Sequence, residues 1–216
     1  MNWRFFLLSG CILILSVTKA NCQEAWVLKL DKEGIKVYTK NLDNSPYKAV
    51  KTVCTIDASL SRITAVLLDI ENCADWVYST KKCVTLKKLS PAEIIYYSEI
   101  EIPWPVSNRD FIVLLKVSQD EKTKAVIVEG ENRPTYLPEN KNIVRIMRSY
   151  SKWVIEPMAN GQVRVEYVLQ VDPGGMVPSW LINMFATKGP FESFKNLRLQ
   201  VKKTLYSQAV VPFIRD

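Results

Sequence analysis

The sequence predicts an α+β domain in which one antiparallel sheet packs against a long C-terminal helix. Three observations favour this class. The 216-residue chain is 48% hydrophobic and 24% charged, which is typical of one globular domain. Segments of alternating apolar and polar residues recur between residues 35 and 171. Apolar residues then recur at helical spacing from residue 179 to about residue 205.

Residues 1–20 have the pattern of a secretory signal peptide. Arg4 precedes a mostly apolar run over residues 5–17, and Ala20 ends a segment typical of a cleavage site. The run is shorter than the roughly 20 apolar residues that span a bilayer, so a retained membrane anchor is the weaker interpretation. We therefore expect an exported protein that is periplasmic or secreted.

The charge balance is basic but not extreme. The formal net charge of the chain is +7, and loss of residues 1–20 would leave 27 basic and 22 acidic residues, or +5. The basic residues are scattered and the sequence has no long cationic run, so we expect no nucleic-acid partner. Solvated strand and helix faces are the simpler interpretation of these charges. Transient contact with an anionic membrane surface is the alternative.

The residue types exclude several chemistries. The sequence has no histidine, which excludes Ser-His-Asp and Cys-His triads and histidine-based zinc sites. The cysteine spacings match no zinc ribbon or C-x-x-C motif, although export would permit a disulfide such as Cys73–Cys83. Asp69, Glu71 and Asp75 lie near a predicted helix end, where solvation is a simpler interpretation than a metal site. We predict no metal and no cofactor.

The first part of the chain predicts a hairpin, a helix and a meander of strands. The hairpin covers residues 35–40 and 47–56, around a turn at Asn44-Ser45-Pro46. Apolar residues at helical spacing predict an amphipathic helix over residues 59–71. Six predicted strands follow, over residues 83–89, 93–102, 109–118, 123–130, 143–155 and 162–171.

The last predicted element is a helix from about residue 179 to residue 205. Gly189-Pro190 should kink it. No repeat or linker interrupts the chain, so we expect one domain over residues 22–206, followed by a C-terminal tail over residues 207–216. At 100° per residue, the apolar stripe of this helix is Trp180, Met184, Thr187, Phe191, Phe194, Val201 and Leu205.

Two motifs, one before a predicted strand and one before the last helix, resemble segments of a known family. Pro103-Trp104-Pro105-Val106-Ser107-Asn108-Arg109-Asp110-Phe111 is similar to the Pro-x-Pro-x-x-x-Arg-Asp-Phe segment of the START lipid-transfer domain family. Asp172-Pro173-Gly174-Gly175-Met176-Val177-Pro178-Ser179-Trp180-Leu181-Ile182-Asn183 is similar to the start of its last helix. The resemblance covers the element order from residue 26 to about residue 205. It implies the helix-grip fold, in which a curved antiparallel sheet wraps a long C-terminal helix around a hydrophobic tunnel for one ligand.

Strand alternation indicates which residues would line such a tunnel, because residues i, i+2 and i+4 of a strand share one face. Placing Glu99 and Lys116 in water turns the alternate residues of their strands inward. The same parity applies to the last two strands, and the helix stripe supplies the opposite wall. The predicted lining residues are Tyr96, Ser98, Ile100, Phe111, Val113, Leu115, Trp153, Tyr167, Met184, Phe191 and Phe194.

We expect the ligand to enter between the Pro-rich loop at residues 103–108 and the first turns of the last helix, where apolar residues would form a rim. Arg109 and Asp110 are adjacent strand residues that point to opposite faces, so we interpret them as structural motif residues and not as a catalytic pair. Arg109 is expected to tie the Pro-rich loop to a neighbouring strand or carbonyl. The predicted gate residues are Trp104, Met176, Leu181 and Phe185.

The resemblance also implies that the polar groups of the tunnel differ between this chain and sterol-binding members of the family. In sterol-binding members of the family a buried carboxylate–guanidinium pair lies on two of these strands, at positions that correspond here to Tyr96 and Leu115. Both residues are uncharged in this chain. A less polar tunnel follows, and cholesterol-type recognition is not implied.

Three classes of function remain open at this point. We expect a monomeric, non-catalytic domain that binds one hydrophobic small molecule or lipid, for binding, transfer or sensing in the cell envelope. The alternative is an enzyme of the same fold, a polyketide-type cyclase or hydrolase. Without histidine such an enzyme would need Arg109, Tyr96 or Tyr167 as acid or base. The third class is an envelope interaction protein with a filled core.

Overall fold

The computed structural model describes residues 25–42 and 47–216. The predicted signal peptide at residues 1–20 and the predicted turn at Asn44-Ser45-Pro46 lie outside the described residues. One ten-stranded sheet dominates the fold. Its strands are β1 (Val27–Lys32), β2 (Ile35–Asn41), β3 (Lys48–Ile56), β4 (Thr80–Ser90), β5 (Glu93–Ile100), β6 (Asn108–Gln119), β7 (Val126–Asn132), β8 (Ile143–Arg145), β9 (Arg148–Pro157) and β10 (Val163–Asp172).

The sheet is antiparallel along its whole main path, which confirms the predicted fold class. The strand order is β1-β2-β3-β10-β9-β7-β6-β5-β4, so the last strand pairs with β3 and joins the N-terminal strands to the meander. One detail of the prediction is wrong. The pattern predicts a single strand over residues 143–155, but the chain leaves the sheet at Ile146 and Met147. The piece before this break is β8, which pairs in parallel with β6.

The first strand is an element that the alternation does not predict. Only Leu30 of β1 is even partly buried, because β1 is an edge strand, and an apolar–polar pattern therefore does not develop. The turn into β2 is made by Glu33 and Gly34, which both have positive φ, at 52° and 67°. Two such residues form the tight hairpin turn that matches the twist of paired strands.

The helical elements lie on the concave side of the sheet. They are α1 (Leu60–Leu68), a 3-10 helix (Ile70–Asp75), and a last helix made of α2 (Ser179–Asn183), a π-helical turn (Met184–Lys188) and α3 (Gly189–Gln200). Ser59 caps α1, because its hydroxyl accepts a hydrogen bond from the Arg62 backbone N–H. Within the described ranges, no helix has the length and apolar character needed to cross a membrane.

The last helix is shorter than its apolar stripe predicts. It ends at Gln200, and a separate 3-10 turn (Thr204–Tyr206) carries Leu205 away from the sheet. Leu205 and Trp180 are exposed, so neither belongs to the buried stripe. The core instead lies between the concave face and the helices, where Ile63, Phe194 and Leu197 are almost fully buried.

The convex face of the sheet has a smaller apolar cluster of its own. Ile112 and Leu114 of β6 pack there under the loop at residues 133–142. Arg145 holds this loop in place. Its guanidinium bonds both carboxylate oxygens of Asp110, at 2.6 and 3.1 Å, and donates to the carbonyls of Pro134 and Leu137. Asp110 therefore faces the convex side, in a fully buried ion pair.

The segment expected to form a tail, residues 207–216, packs against the domain. Val211 and Ile214 belong to the main core. The Ser61 backbone N–H donates to the Asp216 carboxylate at 2.8 Å, and the side chain of Gln119 bonds the backbone of Arg215. The end of the chain is thus tied to both α1 and β6.

A disulfide joins Cys73 to Cys83 and links the 3-10 helix after α1 to strand β4. Cys54 is a free, buried cysteine. Among the described residues no group of acidic or cysteine side chains could hold a metal ion. The three carboxylates near the end of α1 have protein partners, since Asp69 accepts from Tyr206, Glu71 from the Thr85 N–H and Asp75 from Lys203.

Candidate ligand cavity

A cavity of about 320 Å³ lies between the concave face of the sheet and the last helix. Strands β3, β5, β6, β7, β9 and β10 form one wall. The last helix, α1 and the 3-10 helix after it form the other. The described interior is therefore not a fully packed core. Cavities of this size with mostly apolar walls are the usual form of a small-molecule site.

The structure places nine of the eleven predicted lining residues on the wall of this cavity. All eight strand residues proposed from strand alternation lie on the cavity wall. On the helix only one of three is on the wall. The nine residues are Tyr96, Ser98, Ile100, Phe111, Val113, Leu115, Trp153, Tyr167 and Phe194.

Met184 and Phe191 do not line the cavity, which corrects the prediction for the helix. The helix residues on the wall recur in pairs every four positions. Four residues of an α-helix turn by about 400° around the helix axis. Each successive pair would therefore be rotated by about 40° relative to the one before it, away from the cavity. The π-helical turn accommodates an additional residue and offsets this rotation. The pairs are Leu181-Ile182, Phe185-Ala186, Gly189-Pro190 and Ser193-Phe194.

Phe191 is buried beside the cavity instead of on its wall. It belongs to the main core, with the ammonium of Lys32 5.7 Å from its ring centroid. Met184 is only partly buried, within the π-helical turn. A stripe drawn at 100° per residue assumes a regular α-helix. The apolar pattern of the sequence does not predict the π-helical turn, so the stripe is misplaced in this part of the helix.

Aromatic rings form the inner part of the wall. Trp153 stacks on Phe194 with ring centroids 5.4 Å apart and is 4.2 Å from the ring of Tyr167. Burial raises the pKa of Tyr96 to about 12 and also raises the pKa of Tyr167 strongly. Both phenols are therefore neutral at physiological pH. With Ser98 they supply neutral hydrogen-bonding groups in an apolar surface.

The expected entrance of the cavity, which we call the mouth, lies between two loops, at residues 101–107 and 173–178. Ile102, Pro173 and Val177 of these loops line the cavity. Arg109 joins them, because its guanidinium donates to the carbonyls of Ser107, Pro173 and Gly174. The two bonds to the second loop are both 3.3 Å long. Burial lowers the pKa of Arg109. The expected tie between the Pro-rich loop and a carbonyl is thus present in the structure.

A second tie holds the Pro-rich loop from the other side. Asn108 donates to the Glu99 carboxylate at 2.7 Å and accepts from the Ile102 backbone N–H at 3.0 Å. Lys81 also bonds Glu99. The expectation that Glu99 lies in water is wrong: its side chain is buried, because these partners replace its solvent.

The four predicted gate residues fall into two groups. Trp104 and Met176 stand on the two loops of the mouth and are 91% and 98% exposed. Leu181 and Phe185 lie on the cavity wall just inside. Phe185 also meets the ring of Tyr78 edge-on, with centroids 6.2 Å apart.

A START domain model matches residues 12–204 of the chain. The chain belongs to the START domain family. An uncharacterized protein of Pseudomonas aeruginosa is 33% identical over 83% of this chain and 88% of its own length. The phosphatidylcholine transfer protein of Bos taurus is 24% identical over 76% of this chain and 78% of its own length.

A solved structure has the same fold at similar sequence identity. The crystal structure of a STAR-related lipid transfer protein fragment from Xanthomonas axonopodis superposes with a TM-score of 0.76 at 34% identity. The match covers 82% of this chain and 99% of that fragment. As in other START domains, then, a sheet wraps the last helix in this chain.

Part of the cavity wall was not predicted from the sequence. The segment after β3 contributes Leu67 and Ile70, which the sequence predicts on the amphipathic helix over residues 59–71, and also Trp76 and Tyr78, which were not proposed as lining residues. Lys48 also reaches the wall. Helical spacing identifies the buried face of α1, but it does not reveal that this face borders a cavity.

Proposed function

We propose that the protein binds a single lipid, or another hydrophobic molecule, inside the cavity. The observation that carries the proposal is an apolar cavity between the sheet and the last helix of a START domain. A named relative is a phosphatidylcholine transfer protein, which is consistent with a lipid ligand here. Each 100 Å² of apolar ligand surface withdrawn from water would contribute roughly 2.5 kcal/mol before the costs of binding.

Binding is better supported than catalysis. An enzyme of this fold without histidine would use Tyr96, Tyr167 or Arg109 as acid or base. Burial raises the pKa of Tyr96 to about 12 and that of Tyr167 strongly, so neither phenol is a good base near neutral pH. Arg109 is engaged with three backbone carbonyls. A cyclase or hydrolase remains the second candidate.

We further propose that the protein works in the cell envelope and exchanges its ligand at a membrane surface. Residues 1–20 have the pattern of a secretory signal peptide, and the remaining chain has a net charge of +5. Trp104 and Met176 give the mouth an apolar, exposed rim. A basic protein with such a rim is suited to brief contact with an anionic bilayer as a monomer.

The direct test is native mass spectrometry of the mature protein purified from its own source. We expect a 1:1 adduct with an apolar ligand. Val113→Phe should reduce the adduct because it fills the cavity, whereas Val210→Phe, which changes an exposed residue, should not. A protein that carries no ligand, and takes none from a total lipid extract, would contradict the proposal.

A further inference from the structure

Two buried arginines near the loops of the sheet have different electrostatic environments. Arg145 forms a bidentate ion pair with Asp110 on the convex side. Arg109, on the concave side, is 5% exposed and bonds only backbone carbonyls. Within residues 25–42 and 47–216, no carboxylate forms an ion pair with it. Buried charges in proteins are normally paired with an opposite charge, so this guanidinium is an exception.

The charge of the cavity wall has the same sign throughout. Among the described residues that line it, Lys48 and Arg109 are the charged ones, and none carries a carboxylate. Both cations lie at one end of β10. Lys48 begins β3, whose register places it beside that end, and Arg109 bonds the Pro173 carbonyl directly after β10 ends.

The acid at this end of β10 does not offset these charges inside the cavity. Asp172, the last residue of β10, is not on the wall. Its carboxylate pairs at 2.9 Å with Arg148, whose side chain is largely exposed, and accepts from the Gly174 backbone N–H. The mouth end of the cavity is therefore positive, while the inner end is aromatic and neutral.

We propose that the ligand is an anionic amphiphile whose phosphate or carboxylate headgroup binds Arg109 at the mouth, with Lys48 beside it. This inference rests on the proposed lipid-binding function and specifies the class of lipid. The acyl chain would extend toward the stack of Trp153 and Phe194. The headgroup would supply the negative charge that the wall lacks.

A headgroup anion competes well with the two partners of Arg109 on the loop at residues 173–178. The two 3.3 Å bonds to Pro173 and Gly174 are longer than typical N–H···O bonds of 2.7–3.2 Å. Hydrogen bonds between guanidinium and phosphate or carboxylate are shorter and roughly twice as strong as neutral ones. Exchange of these bonds for a headgroup would also release the loop at residues 173–178 from the Pro-rich loop, so binding and opening of the mouth are coupled.

The test is a competition in which each pair of lipids differs only in a phosphate. The mature protein is incubated with vesicles that contain equimolar dioleoyl phosphatidic acid and dioleoylglycerol, and bound lipid is measured by native mass spectrometry. Because both lipids share one vesicle surface, attraction of the basic protein to the membrane affects them equally. A second experiment uses the one-chain pair, oleoyl lysophosphatidic acid and monooleoylglycerol.

We expect the wild-type protein to prefer the phosphorylated lipid by roughly 10- to 100-fold, the range for a hydrogen bond to a charged group. Arg109→Met should bring the two lipids to within about twofold of each other. Lys48→Met should weaken the preference and is safer for folding, because Lys48 is exposed. Arg148→Met removes the same charge at the same end of β10, outside the cavity, and should leave the preference unchanged.

The outcomes separate this inference from the proposed function. Equal uptake of both lipids by the wild-type protein would overturn the anionic headgroup and leave lipid binding intact. Uptake of neither lipid would instead contradict the proposed function. Excess inorganic phosphate should not displace bound phosphatidic acid, because it lacks the chain, and displacement would show that the site binds the free anion.

Discussion

At the scale of single residues, the cavity is distinguished by which polar groups it contains. Tyr96 and Leu115 occupy the positions where the family resemblance implies an ion pair in sterol-binding members, and both lie on the wall. They are on adjacent strands, since Tyr96 pairs with Val113 and Leu115 with Ile94. Two neutral residues thus replace two charges, and the wall stays apolar away from the mouth.

Restoring that pair is a test at this scale. Tyr96→Glu with Leu115→Arg should weaken binding of the native ligand, because two charges must lose water beside apolar groups. Leu115→Arg alone should destabilise the fold by on the order of 3–5 kcal/mol, since the buried ion has no partner. Urea unfolding and ligand titration of the double-mutant cycle measure both effects. A harmless Leu115→Arg would place residue 115 in solvent and contradict the cavity described here.

At the scale of elements, two loops and the π-helical turn border the cavity, and the loops flank its expected entrance. Arg109 and Asn108 hold the Pro-rich loop from its two sides. The π-helical turn aligns the wall-forming pairs of the last helix. Trp104 and Met176 are exposed on the loops at residues 101–107 and 173–178, and neither packs in the core.

Substitutions on the rim should therefore affect exchange and not stability. Trp104→Ala and Met176→Ser should slow transfer of a pyrene-labelled lipid between vesicles several-fold, because the loops lose their apolar contact with the bilayer. The thermal midpoint should stay within about 2 °C, as expected for exposed residues. Leu205→Ala is the matched control, since Leu205 is also exposed but lies beyond α3, and it should change neither quantity.

At the scale of the whole molecule, the sheet closes around the last helix and is secured at several points. The Cys73–Cys83 disulfide ties the helical wall to the edge strand β4. The end of the chain packs between α1 and β6 through Val211, Ile214 and the bond from Ser61 to Asp216. These ties restrain elements that border the cavity, because Cys73 itself is on the wall.

Removal of the disulfide should lower stability. Cys73→Ala with Cys83→Ala should reduce the free energy of unfolding by about 2–3 kcal/mol, the loop-entropy value for a crosslink over a sequence separation of 10. Unfolding in guanidinium chloride, with and without dithiothreitol, measures this loss of stability. The Cys54→Ala variant, which changes a buried free cysteine and retains the disulfide, should still be destabilised by the reductant. Identical unfolding midpoints of the wild-type protein in both conditions would contradict the prediction.

The sequence by itself determined the fold class, the order of nearly all elements and the inward faces of β5, β6, β9 and β10. These follow from the period of two in strands and from two motifs, which are local patterns. Of the nine proposed lining residues that lie on the wall, eight are strand residues placed by this alternation, and the ninth, Phe194, comes from the helix stripe. The exposed edge strand β1 and the break between β8 and β9 have no such pattern and were missed.

Only the tertiary structure decided the rest. The phase of the last helix depends on a π-helical turn, which moves Met184 and Phe191 off the wall and is not encoded by periodicity. The burial of Glu99 depends on Lys81 and Asn108, which are distant in sequence or outside its strand. The charge of the mouth depends on which side of the sheet each arginine reaches. Packing brings these groups together, and a one-dimensional pattern contains no information on such pairings.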